Sequence, residues 1–207
     1  MALAFDNMVK YTGKAGNFAF GASYGAGERG PAREGAKLAL ATRYASGPYA
    51  FVATWERING VNGTGGTGGT ASGDTVAWHL GAMVEHGPLK LQAAMRAYRQ
   101  QGGQQATAAA LPDVRARLAW FGANYAATPR VTLTGAVYRQ DVLDVPAQAD
   151  PVMFVGRVKY ALSPRTDLYA TAAWARARNG RLVSLARDEP GFGSSQRSIV
   201  AGIQHRF

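Results

Sequence analysis

Hydrophobic and polar residues alternate along most of the chain with a period of two. A helix would place its apolar residues on one face at a period of 3.6, whereas a strand directs successive side chains to opposite faces. The alternation therefore predicts β-strands, and breaks at turn-forming residues separate them. We predict eleven strands, near residues 6–13, 17–25, 35–46, 49–58, 75–86, 88–99, 113–126, 130–141, 151–162, 166–178 and 195–207.

The connections between these strands alternate between short and long. The short ones are rich in Gly, Pro and Ser, which favour tight turns; they lie at 13–16, 46–48, 87–88, 128–130 and 163–166. The long ones lie at about 26–34, 59–74, 100–112, 142–150 and 179–194. In an antiparallel up-and-down meander, every second connection emerges at the same end. All short turns would then lie at one rim and all long loops at the other, as in an outer-membrane β-barrel.

The last ten residues, SIVAGIQHRF, form an amphipathic segment that ends on an aromatic residue. Ile199, Ile203, His205 and Phe207 share one parity, and the other parity is mostly polar. A strand of about ten residues is long enough to cross a bilayer when it is tilted. A soluble protein can also end in such a strand. This segment therefore indicates a membrane-spanning strand only together with the same pattern in the rest of the chain.

Composition narrows the classes of protein further. The chain has 207 residues, of which only 17% are charged, and it has no cysteine, so disulfides and thiolate chemistry are excluded. No apolar run reaches the roughly 18 residues of a transmembrane helix, and the first residues do not resemble a signal peptide. The formal charge of +10 raises the question of nucleic-acid binding. Because the basic residues are dispersed singly or in pairs through apolar segments, we expect no nucleic-acid partner.

Basic residues on the strands occupy the parity opposite to the apolar one. An arginine facing lipid at mid-depth costs about 2–4 kcal/mol, whereas one facing a water-filled lumen costs little. The parity therefore predicts a wet, positively charged face, with Glu56 and Glu85 as its main carboxylates. We assign to that face Lys37, Arg43, Lys90, Arg96, Arg115, Arg117, Arg157 and Lys159.

The sequence contains no recognisable catalytic or metal-binding constellation. His79 and His205 stand alone, without a second ligand at a typical metal-site spacing, and no Ser-His-Asp arrangement can be assembled. The Gly-rich segment 59–75 lacks the Gly-Lys-Ser/Thr ending of a phosphate-binding loop, so we interpret it as a flexible loop. We expect no metal, no cofactor and no enzymatic activity.

Three stretches carry a resemblance to a known family: FDNMVKYTGKAGNFAFGASYGAGE, RVKYALSPRTDLYATAAWARARNG and the terminal IVAGIQHRF. Together they resemble the C-terminal part of the general porins of Gram-negative bacteria, of the betaproteobacterial type. The second stretch matches a YxLSxRTxLY pattern of the penultimate hairpin. Its matching residues are Tyr160, Leu162, Ser163, Arg165, Thr166, Leu168 and Tyr169.

This resemblance implies a transmembrane β-barrel of the outer membrane that lets ions and small hydrophilic solutes diffuse passively. It also implies a ladder of basic residues on the pore wall, for which Arg96, Arg117, Arg157 and Lys159 are the leading candidates, and a preference for anions. The terminal segment with Ile203, His205 and Phe207 would be the signal for the barrel-assembly machinery. The implied partners are lipid, lipopolysaccharide and two further copies of the chain in a homotrimer.

The chain departs from the family in strand number, since porins have about sixteen strands and we predict eleven. We therefore expect residues 1–207 to be the C-terminal part of a single barrel domain, without counterparts of the signal peptide, the first strands and the constriction loop. Such a sheet would be open, and hydrocarbon does not tolerate unpaired edges, so a non-functional truncated fragment is one possibility. The alternatives from other classes are a soluble, basic, lectin-like β-sandwich binding module and an outer-membrane barrel with a hydrolytic site.

Overall fold

A computed structural model describes residues 7–27, 33–61, 73–102, 113–143, 150–179, 182–185 and 193–207. It confirms the eleven predicted strands, with ends that agree to within two residues. The strands are β1 (Met8–Ala15), β2 (Phe18–Gly25), β3 (Lys37–Ser46), β4 (Tyr49–Ile58), β5 (Thr75–His86), β6 (Leu89–Gln100), β7 (Val114–Ala126), β8 (Val131–Val142), β9 (Val152–Ser163), β10 (Thr166–Arg176) and β11 (Ser195–His205).

The strands form one sheet in which chain order and spatial order are the same, from β1 to β11. This confirms the predicted antiparallel, up-and-down arrangement. Three of the short turns contain a glycine with positive φ, namely Gly16 (55°), Gly47 (52°) and Gly87 (54°). These left-handed conformations suit the tight hairpins that connect the strands, and glycine adopts them without a steric cost. None of the described residues forms a helix long and apolar enough to span a bilayer.

Contacts divide the chain into two compact units, which we describe separately. Unit 1 comprises Met1–Gly81 and Arg96–Arg117, and unit 2 comprises Ala82–Met95 and Leu118–Phe207. Unit 1 contains β1 to β4, and unit 2 contains β8 to β11. The strands β5, β6 and β7 each contribute residues to both units.

Large apolar side chains are exposed in both units instead of being packed into a core. Val9 in unit 1 is 75% exposed and Ile199 in unit 2 is 83% exposed. Among the described residues, the buried hydrophobic ones are all alanines, and no large side chain is fully buried. A β-sandwich buries the inner faces of two sheets against each other, so this burial pattern and the single sheet order contradict the soluble-sandwich alternative. Such an apolar face suits lipid, not water.

Most of the predicted long connections lie outside the described residues. These parts are 28–32, 62–72, 103–112, 144–149, 180–181 and 186–192, and they include most of the Gly-rich segment. The ends of the connections are described, and they contain a repeated contact.

That contact, which we call the loop clasp, joins an arginine near the end of one strand to an aspartate just before the next. Asp74 accepts hydrogen bonds from Arg57 Nη2 at 2.6 Å and from the Gly60 amide at 2.8 Å. Asp113 accepts the equivalent bonds from Arg99 Nη2 at 3.0 Å and from the Gly102 amide at 2.9 Å. In both clasps a glycine three residues after the arginine supplies the amide, so the bases of two successive long connections are tied by the same chemistry.

The clasps keep their carboxylates charged. The Gly60 amide and then the Arg57 guanidinium lower the pKa of Asp74 against the opposing effect of partial burial. The Gly102 amide and then Arg99 lower the pKa of Asp113. A carboxyl whose folded pKa is depressed stabilises the fold above its unfolded pKa and loses that contribution as the pH falls through the folded value. Both clasps therefore hold at neutral pH and weaken only below the usual carboxyl range, about pH 4.

Candidate functional site

Cross-strand pairing sorts the side chains of each unit onto two faces. In unit 2, residues opposite each other across β8, β9, β10 and β11 include Leu133, Val158, Ala170 and Ala201 on one face. The other face includes Thr134, Arg157, Thr171 and Val200. We call the first the apolar face and the second the charged face. In unit 1 the same terms apply to the faces of Leu40 and Arg43, respectively, because Leu40 pairs with Ala22 and Trp55 whereas Arg43 pairs with Ala19 and Val52.

Arg157 is the best-defined cation on the charged face of unit 2. Its guanidinium carbon lies 4.6 Å from the centre of the Tyr169 ring, a cation–π geometry. Tyr169 is cross-strand to Gly202, where an added Cβ would come within 2.7 Å of the tyrosine hydroxyl. Gly202 therefore makes room for the ring that supports Arg157. No carboxylate of the described residues pairs with Arg157, so its positive charge is not neutralised by this part of the chain.

Lys159 extends the positive surface towards the short turns. It is cross-strand to Tyr169, and its Nζ lies 3.9 Å from Asp167 Oδ2. That same oxygen accepts a much closer bond, 2.9 Å, from Arg206 Nη2. The nearly buried Asp167 is therefore paired mainly with Arg206 and offsets only a small part of the positive charge of Lys159. Arg157 and Lys159 together give this face a local excess of positive charge.

Arg96 is the corresponding cation of unit 1, but it has a counter-ion. Its Nη2 lies 3.3 Å from Glu56 Oε1, and both side chains are about a quarter exposed, 25% and 23%. Beside this pair, His79 Nδ1 and Thr54 Oγ1 are 2.9 Å apart. Thr54 and Glu56 both belong to the charged face, since they pair with Ala41 and Ala39. Arg96 thus contacts a residue of the charged face, and Glu56 offsets part of its charge.

The remaining predicted cations are spread over the two units. Register places Arg43 and Lys37 on the charged face of unit 1. Lys90 lies near the short turn after β5, where Nζ is 3.6 Å from Glu85 Oε2, so this pair adds little net charge. The contact with Glu85 makes Lys90 a secondary contributor.

The two arginines of β7, Arg115 and Arg117, lie on the side of their strand that Phe121 occupies. In unit 2, Thr134 Oγ1 bonds Asn124 Oδ1 at 2.7 Å, and Thr134 is cross-strand to Arg157, so Asn124 belongs to the charged face. Exposure alternates without a break from Val114 to Gly122. Arg115 and Arg117 therefore have the parity of Phe121, which is exposed, and not that of Asn124. This parity argues against Arg117, one of our four leading candidates, and against Arg115 as residues of a pore wall.

Sequence reasoning missed two lysines and the groups that position Arg157. Lys14 is cross-strand to Ala19, which in turn pairs with Arg43, so Lys14 lies on the charged face of unit 1. Lys10 lies on the same face, because it is cross-strand to Ser23, which in turn pairs with Ala39. Their alternation with Val9 and Tyr11 was a signal that could have identified both. Tyr169 gave no such signal, because an aromatic residue in a strand is common on either face.

The predicted assembly segment lies at the end of β11. Ile203 is 64% exposed on the apolar face, opposite Leu168. His205 Nδ1 lies 2.9 Å from Thr166 Oγ1, and its ring meets the Phe207 ring edge-to-face at 4.9 Å. Phe207 is fully exposed.

The described ranges contain no group of three or more His, Cys, Asp or Glu residues that could hold a metal ion. The charged face offers fixed positive charge and hydrogen-bonding groups. Such a face can attract anions electrostatically.

Solved structures with the same fold include two porins and an outer-membrane protein. An anion-selective porin from Comamonas acidovorans superposes with a TM-score of 0.79 at 18% identity, over 98% of this chain and 60% of the porin. A second porin gives 0.69 at 18% identity, over 96% of this chain and 60% of its own. The trimer form of in-vitro folded OmpT, an outer-membrane protein of Vibrio cholerae, gives 0.65 at 13% identity, over 98% and 65%.

The chain thus spans about 60% of the length of the first two of these porins. No protein with a curated description matches the sequence significantly. The sequence profile described as Gram-negative porin matches residues 3–180, which is most of the chain. These findings agree with the strand order, the exposed apolar face and the dispersed basic residues, and we conclude that the chain belongs to the Gram-negative porin family.

Proposed function

We propose that this chain forms pore wall in a water-filled channel of the outer membrane, through which ions and small hydrophilic solutes diffuse passively. The observation that carries the proposal is the separation of its side chains onto an exposed apolar face and an opposite charged face. In a porin the apolar face contacts lipid and the polar face contacts the aqueous lumen. The chain would then act without catalysis, as members of this family typically do.

The proposed preference is for anions. Arg157 and Lys159 contribute fixed positive charge in unit 2, and Arg43, Lys14 and Lys10 contribute it in unit 1. Charged side chains that line a pore set the sign of its ion preference. The anion-selective porin from Comamonas acidovorans shares the fold, which is consistent with this preference.

We infer the assembly of the protein from its membership of the porin family. The eleven strands would be the C-terminal part of a larger porin barrel. This chain covers 60% of the length of the two solved porins. Phe207, His205 and Ile203 would be the segment that the barrel-assembly machinery recognises. A homotrimer in contact with lipid and lipopolysaccharide is the expected state in the membrane.

Planar-bilayer recording of the purified protein tests this function. With a KCl gradient across the bilayer, we expect conductance steps and a reversal potential whose sign shows that chloride is more permeant than potassium. A heat-treated sample of the same protein is the control, because an unfolded chain should give no steps. Absence of conductance from a folded, membrane-inserted protein would contradict the channel, and a preference for potassium would contradict the charge assignment.

A further inference from the structure

Three adjacent strands of unit 1 bring a histidine next to an ion pair on the charged face. Thr54 and Glu56 lie on β4, His79 on β5 and Arg96 on β6. His79 Nδ1 is 2.9 Å from Thr54 Oγ1, and Arg96 Nη2 is 3.3 Å from Glu56 Oε1. We call these four residues the histidine cluster. All four are partly exposed, so an ion that moves along the charged face would pass close to them.

The position of His79 sets it apart from the other two histidines of the chain, both of which the structure also describes. Trp78, the residue before it, is exposed on the apolar face, so His79 lies on the opposite side of β5. His86 has the parity of Trp78 and ends β5 at a short turn. His205 follows Ile203 at the same parity, which is that of the apolar face. Of the three, His79 is therefore the histidine that lies on the charged face.

Protonation of His79 changes the net charge of the histidine cluster from zero to +1. Glu56 and Arg96 offset each other while the ring is neutral. Carboxyl groups ordinarily titrate near about pH 4, and lysine and arginine above about pH 10. Histidine is the side chain that ordinarily changes its charge between about pH 5 and 8. In that range the charge of the cluster therefore follows the protonation of His79.

Thr54 accommodates both charge states of the ring. A hydroxyl donates to an unprotonated ring nitrogen and accepts from a protonated one, so the 2.9 Å contact survives when His79 takes up a proton. Glu56 on β4 and Arg96 on β6 are the charged groups that act on His79 electrostatically. The carboxylate favours the charged ring and the guanidinium opposes it. The cluster thus admits a charged histidine without the loss of a hydrogen bond.

We infer that His79 is a selectivity-determining residue of the pore wall, which strengthens the preference for anions when it is protonated. This inference rests on the proposed channel. The arginines and lysines of the charged face keep their charge throughout this pH range and set the basal preference. A unit charge about 10 Å from a permeating ion in water changes the local concentration of that ion about twofold. The preference for chloride over potassium should therefore increase by about that factor as the pH falls.

Planar-bilayer recording at several pH values tests the inference. The protein is reconstituted in phosphatidylcholine, whose headgroup charge is constant in this range, and the reversal potential is measured in a fixed KCl gradient. We expect the permeability ratio of chloride to potassium to be about twofold higher at about pH 5 than at about pH 8. His79→Gln cannot take up a proton but still bonds to Thr54, so its ratio should stay at the value for neutral histidine. His79→Lys should keep the ratio for charged histidine throughout.

His86→Gln is the matched control, because it removes a histidine that has the parity of the apolar face. Its permeability ratio should depend on pH as that of the wild type does. Three results would overturn the inference. They are a wild-type ratio that is constant with pH, a pH dependence that His79→Gln retains in full, and a pH dependence that His86→Gln abolishes.

An NMR titration of the folded wild-type protein in detergent micelles provides a readout that does not require conductance. The ring signals of isotope-labelled histidines are followed with pH, and His86→Gln and His205→Gln identify the signal of His79 by elimination. We expect this signal to move between its neutral and charged positions from about pH 8 to 5. A signal that does not move would overturn the inference even in a protein that conducts. A titrating His79 in a protein without conductance at any pH would contradict the channel itself, and the selectivity role with it.

Discussion

Replacing Val158 by arginine is expected to destabilise the membrane-inserted protein by about 2–4 kcal/mol, the cost of a lipid-facing arginine near the bilayer midplane. Val158 lies in the middle of β9 on the apolar face, is 43% exposed, and has Leu133 and Ala170 as cross-strand neighbours. Those neighbours offer no counter-ion. The arginine would therefore have to remain in lipid or distort the strand to reach water.

Val155→Arg is the matched control on the same strand. Val155 has the parity of Arg157, and its cross-strand neighbours Ala136 and Ala173 leave room for a long side chain on the charged face. We expect this variant to cost no more than about 0.5 kcal/mol, as for substitutions at water-exposed positions. Reversible unfolding in denaturant from lipid vesicles gives both values. Equal costs for the two variants would contradict the assignment of the faces.

The second large effect is expected on ion selectivity. Changing Arg157 and Lys159 together to glutamate should convert a chloride preference into a potassium preference, because it replaces two positive charges by two negative ones on the charged face. Arg157 is suited to this test, since no described carboxylate offsets it and Tyr169 holds it in place. The readout is the reversal potential in a KCl gradient.

A control variant with the same charge change is available in unit 2. Arg130 and Arg165 lie in exposed short turns, away from the middle of their strands. Changing both to glutamate should leave the sign of the reversal potential unchanged and alter only its size, through the overall field of the protein. If the control and the Arg157/Lys159 variant shift the potential equally, the selectivity does not arise from the charged face.

The strands and their order were predictable because one local rule, alternation with a period of two, holds in nearly all of them. The faces were predictable wherever large apolar residues mark one parity, as Phe154, Val158 and Leu162 do on β9. In β7 this mark is weak, because Ala116 and Ala119 are small residues on opposite parities. The assignment of Arg117 to the charged face therefore rested on a parity that is weakly marked in β7, and the parity of Phe121 and Asn124 points the other way.

Contacts between distant segments could not be predicted from the sequence. The Arg157–Tyr169 contact depends on the register between β9 and β10 and on the space left by Gly202. The loop clasps depend on the approach of Asp74 to Arg57 and Gly60 across a long connection. Alternation determines which face a residue occupies, whereas register determines which neighbours it contacts there.

Single-cysteine labelling along β9 tests the central claim, that the charged face meets water and the apolar face meets lipid, most directly. The chain has no native cysteine, so each introduced thiol is the only target. Cysteines are placed one at a time at positions 155 to 159, and the membrane-inserted protein is treated with a charged, water-soluble maleimide. We predict rapid labelling at 155, 157 and 159 and slow labelling at 156 and 158. Uniform labelling, or rapid labelling at 156 and 158 alone, would contradict the account.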